Sequence, residues 1–484
     1  MDLDRKIGRL FTVPARALTD DVIHHVRDNH VGGVIWFQST TDVVVRANEQ
    51  LQALAEEPLL ISADLEAGMG MRFTDTVWWP PAMALAATGD LELAEEQARV
   101  TAEEARAVGV NHVLAPVCDV NVDPRNPVIN TRSFGEDPHE VAKYVAATVR
   151  GLRAGGCLST AKHFPGHGDT HVDSHRALPV LDVDRARLEQ VELVPFRAAI
   201  DAGVDSVMIG HLGVPSLDPT PTPVRGEFEN VWGTTREEVT HDGTMPATLS
   251  APVIALLRSM GFHGLVMTDA MDMGGLAAHF DPGEAAVRAI EAGEDQICYS
   301  PDTDAAIAAV KAAVKSGRIP MARIDEALSR IPEWWRTGNP ACPDRRDRLS
   351  PTFIARKSIA LVRDNSGLLP LTAKNVAIRA WAEDPIEFTD EGNVETADVI
   401  ILLLGIRPRS GKGNLNVPEE AKRIAGKHAR KTIAVSLGSP YMVRELGDVS
   451  TFIAAWGVQP VLQHAAMQAI RGEFEMTGRV PVTI

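Results

Sequence analysis

The chain has 484 residues, 45% hydrophobic and 23% charged, the composition of a soluble globular protein with enough apolar material for more than one core. Forty-eight basic against 65 acidic residues give a formal charge of −17, which argues against nucleic acid or an anionic membrane surface as the main partner and for a small or neutral substrate. The opening MDLDRKIGRLFTV lacks the basic stretch and apolar run of a signal peptide, and no window reaches about 18 uninterrupted apolar residues, so a cytoplasmic protein is expected.

In chain order, short apolar runs predict strands at 8–13, 31–37, 59–64, 111–117, 157–164, 205–211, 264–270 and 295–300. Between them lie segments with apolar residues at helical spacing, such as 90–109 and 185–203. Strand alternating with helix, with near-continuous apolar strands, indicates a parallel sheet covered by helices. Eight such units closing on themselves predict a (β/α)8 barrel of the TIM type over residues 1–335.

A helical stretch near 302–332 leads into a Pro-, Arg- and Asp-rich segment, taken as a linker at 336–352. Further strands are predicted at 358–363, 375–380, 398–405, 431–438 and 451–457, with helices around 417–428 and 460–471. They indicate a smaller α/β sandwich domain over 353–484. Cys118, Cys157, Cys298 and Cys342 show no CxxC spacing, so reduced, mostly buried thiols are expected.

Chemistry in a barrel of this kind sits at the carboxyl ends of the strands, where Asp64, His163, His211 and Asp269 fall. Asp269, in VMTDAMDM, is positioned to project a carboxylate into a site; an aspartate there also suits the N-cap of a following helix. Asp272, deeper in the same loop, is the weaker nucleophile candidate. The segment KHFPGHGDTHVDSH (162–175) carries four histidines, and its Gly and Pro residues forbid a regular helix. Within it, Asp173 and His175 could meet, the carboxylate fixing one imidazole nitrogen and raising the basicity of the other. Gly166 and Gly168 would let that loop swing. Two other readings compete: a metal site built from His163, His167, Asp169, His171, Asp173 and His175, or a merely solvated loop.

AKHFPGHGDTHVDSH, together with LAPVCDVNVDPRNPVINTRSFGEDP (114–138) and MTDAM, resembles glycoside hydrolase family 3, and within it the β-N-acetylglucosaminidase branch. ARKSIALVRDNSGLLPL (355–371) and VSLGSPY (435–441) resemble the second domain of that family. The resemblance implies a retaining enzyme that cleaves terminal β-linked N-acetylglucosamine, with Asp269 as nucleophile and His175, paired with Asp173, as general acid/base. It implies that Lys162, His163, Asp64 and Arg132 hold sugar hydroxyls and that Arg72 matches an arginine of the strand-three loop. His211 either lines the same pocket or is an ordinary strand-end histidine.

Met69 stands where many relatives carry a basic residue. The short second domain is not required to supply an acid/base glutamate. No cofactor is expected. The expected partners are an oligosaccharide or other glycoside, from cell-wall recycling or chitin, and phosphate where it replaces water.

Overall fold

The computed structural model describes residues 1–225, 243–333, 349–412 and 415–484. All eight expected strands form: β1 Phe11–Ala15, β2 Gly33–Trp36, β3 Leu60–Ala63, β4 His112–Val113, β5 Leu158–Phe164, β6 Ser206–Ile209, β7 Leu265–Thr268 and β8 Ile297–Cys298. They pair in parallel in chain order, and β8 returns to β1 through Phe11 opposite Ile297 and Thr12 opposite Cys298. A bridge between Met267 and Gln296, with Thr268 N donating to Gln296 O at 3.0 Å, joins β7 to β8 and closes the barrel.

The interior follows from the two-residue period of a strand. Leu60, Leu158 and Leu265 cluster at the bottom with Ile331 against them. One step up, His112 bonds Ser62 at 3.0 Å, Thr160 at 2.7 Å and Ser206 at 2.9 Å, a neutral polar layer in which burial pushes the imidazole pKa down to about 3. Above it Ile35, Leu114, Met208, Met267 and Cys298 cluster, and all but Met267 line the floor of a cavity. The same alternation brings Asp64, Lys162 and Asp269 inward at the next level.

Caps start the helices that cover the barrel. Asp90 accepts from Glu92 N before Leu91–Ala107, and Asp137 accepts from His139 N and Glu140 N before Pro138–Ala154. The expected helix at 185–203 is two, Arg185–Gln190 and Leu193–Asp201. Pro195 has no N–H to give and its ring opposes a helical carbonyl at Val191, so the helix cannot run through. Likewise 302–332 divides into Thr303–Lys315 and Met321–Ser329, with Gly317 at φ +78° and Pro320 between them.

The second domain contains β9 Ala360–Asp364, β10 Val376–Ala382, β11 Val399–Gly405, β12 Thr432–Ser436 and β13 Thr451–Ala454. Their order is β10-β11-β12-β13-β9, with only β9 antiparallel. Ile400, Leu402 and Leu404 face helix Glu419–Lys427 on one side; Ile401 and Leu403 face helix Pro460–Ile470 on the other. This is the expected sandwich. Most of the expected linker, with Cys342, lies outside the described residues; Pro351 and Thr352, at its end, already open helix Pro351–Ser358. The other three cysteines are buried and free.

The two domains share a packed face. Met83, Ala84 and Ala87 of the barrel join the second domain's core cluster. Asn121 Nδ2 donates to Tyr441 Oη at 3.0 Å and Asn130 Nδ2 to Ser439 Oγ at 3.1 Å. Among the described residues no helix is long and apolar enough to cross a membrane.

Candidate active site

The cavity at the barrel mouth has a volume of about 1020 Å³ and takes its walls from both domains. On one side lies a closed network of charge. Lys162 Nζ donates to Asp64 Oδ1 at 2.7 Å and lies 2.8 Å from Glu66 Oε1, while Arg72 bonds the other oxygen of Asp64. Arg132 grips Glu66 with two bonds, 2.9 and 2.7 Å. Burial alone would neutralise these acids, but the surrounding cations outweigh it and hold both carboxyls well below the ordinary range. Lys162, only 2% exposed, is held above the ordinary lysine value by the same carboxylates against the cost of its burial.

His163 is the neighbour of Lys162 on β5 yet also lines the cavity. The β5–β6 register shifts between Lys162 and Phe164, and such an irregularity re-aims side chains that would otherwise alternate. Asp119, fully buried, fixes the ring: its Oδ2 takes His163 Nδ1 at 2.8 Å, and its Oδ1 accepts His167 N at 2.7 Å. His163 therefore turns its Nε2 edge toward the cavity.

The long loop folds back as the spacing of Asp173 and His175 suggested. Asp173 Oδ1 accepts from both His175 N and His175 Nδ1, each at 2.9 Å. An ionised Asp173 makes Nδ1 the protonated nitrogen of the neutral ring. Burial raises the Asp173 pKa, but the hydrogen bond and charge of His175 more than reverse this. His167 supports the turn through Thr170 at 2.7 Å and Ser174 at 3.0 Å, and burial pushes its pKa down to about 4.

Asp269 follows β7 directly, with its N donating to Ile209 O at 3.0 Å and its Oδ1 accepting from Ala270 N at 2.8 Å. It caps no helix; the next one, Gly274–Ala277, begins after Met273. Burial opposes its charge, but His163, His211, the Ala270 N–H and His175 outweigh burial and keep the pKa below the ordinary aspartate value. Two backbone bonds dock the histidine loop onto this one: Gly274 N to His175 O at 2.8 Å and Gly275 N to Ser174 O at 3.0 Å. A Cβ on Gly274 would come within 2.3 Å of Arg176 O, so the docking needs glycine there.

Gly168, expected as a hinge, has a packing role in this conformation: a Cβ on it would lie 1.7 Å from Val120 O. His211 does not line the cavity. It is fully buried behind it, with Nε2 donating to Ala270 O at 2.8 Å and Nδ1 2.7 Å from Thr248 Oγ1, so it braces the loop that bears Asp269. Burial lowers its pKa, against the pull of the Asp269 charge.

The metal reading of the loop lacks a donor set. No three of its histidine and aspartate side chains bring ligand atoms within 4.8 Å of one another, because His163, His167 and His175 each face a different partner, Asp169 pairs with Arg187, and His171 points outward. Met69 is a core residue, 1% exposed, so a contact from that position is absent for steric as well as chemical reasons.

Sequence reading missed Glu66, Asp119, Arg16 and the whole second-domain wall. Glu66 shared a signal with Asp64, being two residues further in the same loop. The wall has Arg407 held by Asp384 at 2.8 and 2.9 Å and lying 5.0 Å from the Trp78 ring centroid. Asp384 is thereby committed to an ion pair rather than to proton transfer.

An eight-stranded barrel with convergent carboxylates, arginines and an aspartate–histidine pair at its mouth, joined to an α/β sandwich, defines a two-domain glycosidase. The model of the glycosyl hydrolase family 3 N-terminal domain matches residues 2–333, and the chain belongs to that family. Over its whole length the chain is 29% identical to a β-N-acetylglucosaminidase/β-glucosidase of Cellulomonas fimi, covering 94% of that protein. A family 3 β-N-acetylglucosaminidase from Paenibacillus sp. str. FPU-7 superposes with a TM-score of 0.84 at 30% identity, covering 100% of this chain and 99% of that one. A β-glucoside phosphorylase bound to 2FGlc shares the fold at a TM-score of 0.85 and 23% identity, with 100% of this chain and 94% of that one covered.

Proposed function

We propose that the enzyme removes terminal β-linked N-acetylglucosamine from glycosides by double displacement with retention. Asp269 attacks the anomeric carbon while His175 Nε2 protonates the departing oxygen; water, deprotonated by the same nitrogen, then releases the sugar from Asp269. The observation that carries the reading is the docking of the Asp173–His175 pair onto the loop that bears Asp269, on one cavity. The preference for the N-acetylated sugar rests on likeness to relatives that span the whole chain.

Asp64 and Glu66 keep their charge through Lys162, Arg72 and Arg132, so the sugar's hydroxyls meet acceptors and donors already in position. Little reorganisation is then needed on binding.

Phosphorolysis is a second reading, favoured by the histidine itself. A carboxylic acid that has given up its proton is an anion, whereas an imidazolium becomes neutral and does not repel phosphate. Release of p-nitrophenol from its β-N-acetylglucosaminide, in matched buffers with and without phosphate and with the sugar product identified, tests both. Free N-acetylglucosamine in both buffers means hydrolysis; N-acetylglucosamine 1-phosphate with faster turnover in phosphate means phosphorolysis. A fluorosugar inactivator that leaves no adduct on Asp269 would overturn the nucleophile assignment.

A further inference from the structure

Most cations at the mouth are already matched. Arg72, Lys162 and Arg132 face Asp64 and Glu66, while Arg407 and Arg409 face Asp384 and Glu383. Arg16 differs. It follows β1 directly, lines the cavity, and has no carboxylate oxygen within 4.0 Å among the described residues. Its guanidinium lies 5.4 Å from the Phe37 ring centroid, and Tyr299 lines the same cavity.

Phe37 separates this arginine from the matched set, with Arg72 over the same ring at 5.2 Å. Tyr299 follows β8 at φ +51°, a conformation uncommon for a bulky residue, and its ring meets Phe37 edge-on at 5.5 Å. Arg16, His175, Asp269 and Asp272 all line the one cavity. Burial pushes the Asp272 carboxyl up to about 6, against the pull of His175 and with the push of Asp269.

We propose that Arg16, with the Tyr299 hydroxyl, forms an oxyanion subsite at the leaving-group end of the cavity. The ligand chemistry is a tetrahedral or planar oxyanion, supplied either by inorganic phosphate or by a carboxylate on the departing alcohol. A guanidinium fork suits both. The proposal rests on the glycosidase reading of Asp269 and His175. With phosphate, an oxygen of HPO4²⁻ forms the bond to the anomeric carbon as the bond to Asp269 breaks; the electron pair returns to the Asp269 carboxylate and the proton stays on phosphate. Charge balances, since a dianion and a neutral ester become two monoanions.

The experiment compares wild type with Arg16→Gln and Arg16→Lys in two arms. With p-nitrophenyl β-N-acetylglucosaminide at fixed phosphate, the ratio of sugar phosphate to free sugar is read. Without phosphate, the ratio of kcat/KM for a 4-carboxyphenyl over a phenyl glycoside is read. A fall of about tenfold in either ratio for Arg16→Gln, partly restored in Arg16→Lys, is expected, the size of a lost charge-assisted hydrogen bond. The arm that falls identifies the source of the oxyanion. Both ratios within about twofold of wild type would overturn the subsite. Calorimetric titration of inorganic phosphate and of 4-hydroxybenzoate needs no turnover. Binding of one of them to wild type and its loss in Arg16→Gln supports the subsite, and no binding of either, or equal binding to both proteins, overturns it. If no β-N-acetylglucosaminide is turned over, the glycosidase reading fails while these titrations still judge Arg16.

Discussion

The two sides of the barrel mouth are built differently. On the β3–β5 side, Asp64, Glu66, Arg72, Arg132 and Lys162 pair with one another before any ligand arrives. On the side of β7, β8 and β1, Asp269, Asp272 and Arg16 have no such closed set among the described residues; burial pushes the Asp272 carboxyl up to about 6, and no described carboxylate oxygen lies within 4.0 Å of Arg16. The first arrangement suits recognition, where charges must be held without reorganising. The second suits chemistry, where groups must exchange protons or meet an incoming anion.

Breaking the chemical side at Asp269, the proposed nucleophile, has the largest expected effect. Asp269→Asn lowers kcat for aryl β-N-acetylglucosaminide cleavage by at least about 10³-fold with the circular dichroism spectrum unchanged; residual activity above a tenth of wild type would remove Asp269 from that role.

Breaking the recognition side costs stability as well. Lys162→Met leaves Asp64 and Glu66 buried without their shared cation, and a loss of about 3–5 kcal/mol at neutral pH is expected in denaturant titrations. Both carboxyls have depressed folded-state pKa values, so their favourable charge is present above the ordinary carboxylate range and lost as pH falls. The difference between variant and wild type therefore shrinks in acid; a pH-independent difference would point to packing instead.

A milder cut separates orientation from proton transfer. Asp173→Asn keeps the shape but no longer stabilises a charged imidazole, and about 10²-fold in kcat/KM is expected, with an altered alkaline limb of the pH–rate profile. An unchanged profile would make Asp173 a packing residue.

The smallest effect sharpens the contrast by stabilising. Asp272→Asn relieves a buried carboxyl whose folded pKa is raised to about 6, above that of the unfolded chain. Its cost to the fold is absent below both values and full above the higher one. Thermal melts are expected to show a gain of about 1–2 kcal/mol above pH 7 and none near pH 3. A gain equal at both pH values would show that burial of charge is not its cause.

Most of the fold was legible because its signals are local. All thirteen strands appear where apolar runs were bounded by polar turns, and Asp173 and His175 were readable as a pair because one residue separates them. Departures had equally local causes, as where Pro195 divides the helix expected at 185–203. His211 looked no different from His163 at a strand end. One is buried behind Ala270 O while the other reaches the cavity through a register shift, and neither fact is written in a hexapeptide.

Residue order by itself determined which side chains stand at the inner level of each strand, since the two-residue period that buries Leu60 and Ser62 also turns Asp64 inward. Barrel closure decided what those side chains do. It brings residues 64, 66, 132 and 162 within hydrogen-bond reach from three consecutive strand–loop units, and the second domain adds Arg407 to the same cavity. Charge interactions fall off with distance and depend on burial, so a carboxylate's state is a property of the neighbours that tertiary structure assembles and not of the segment that carries it.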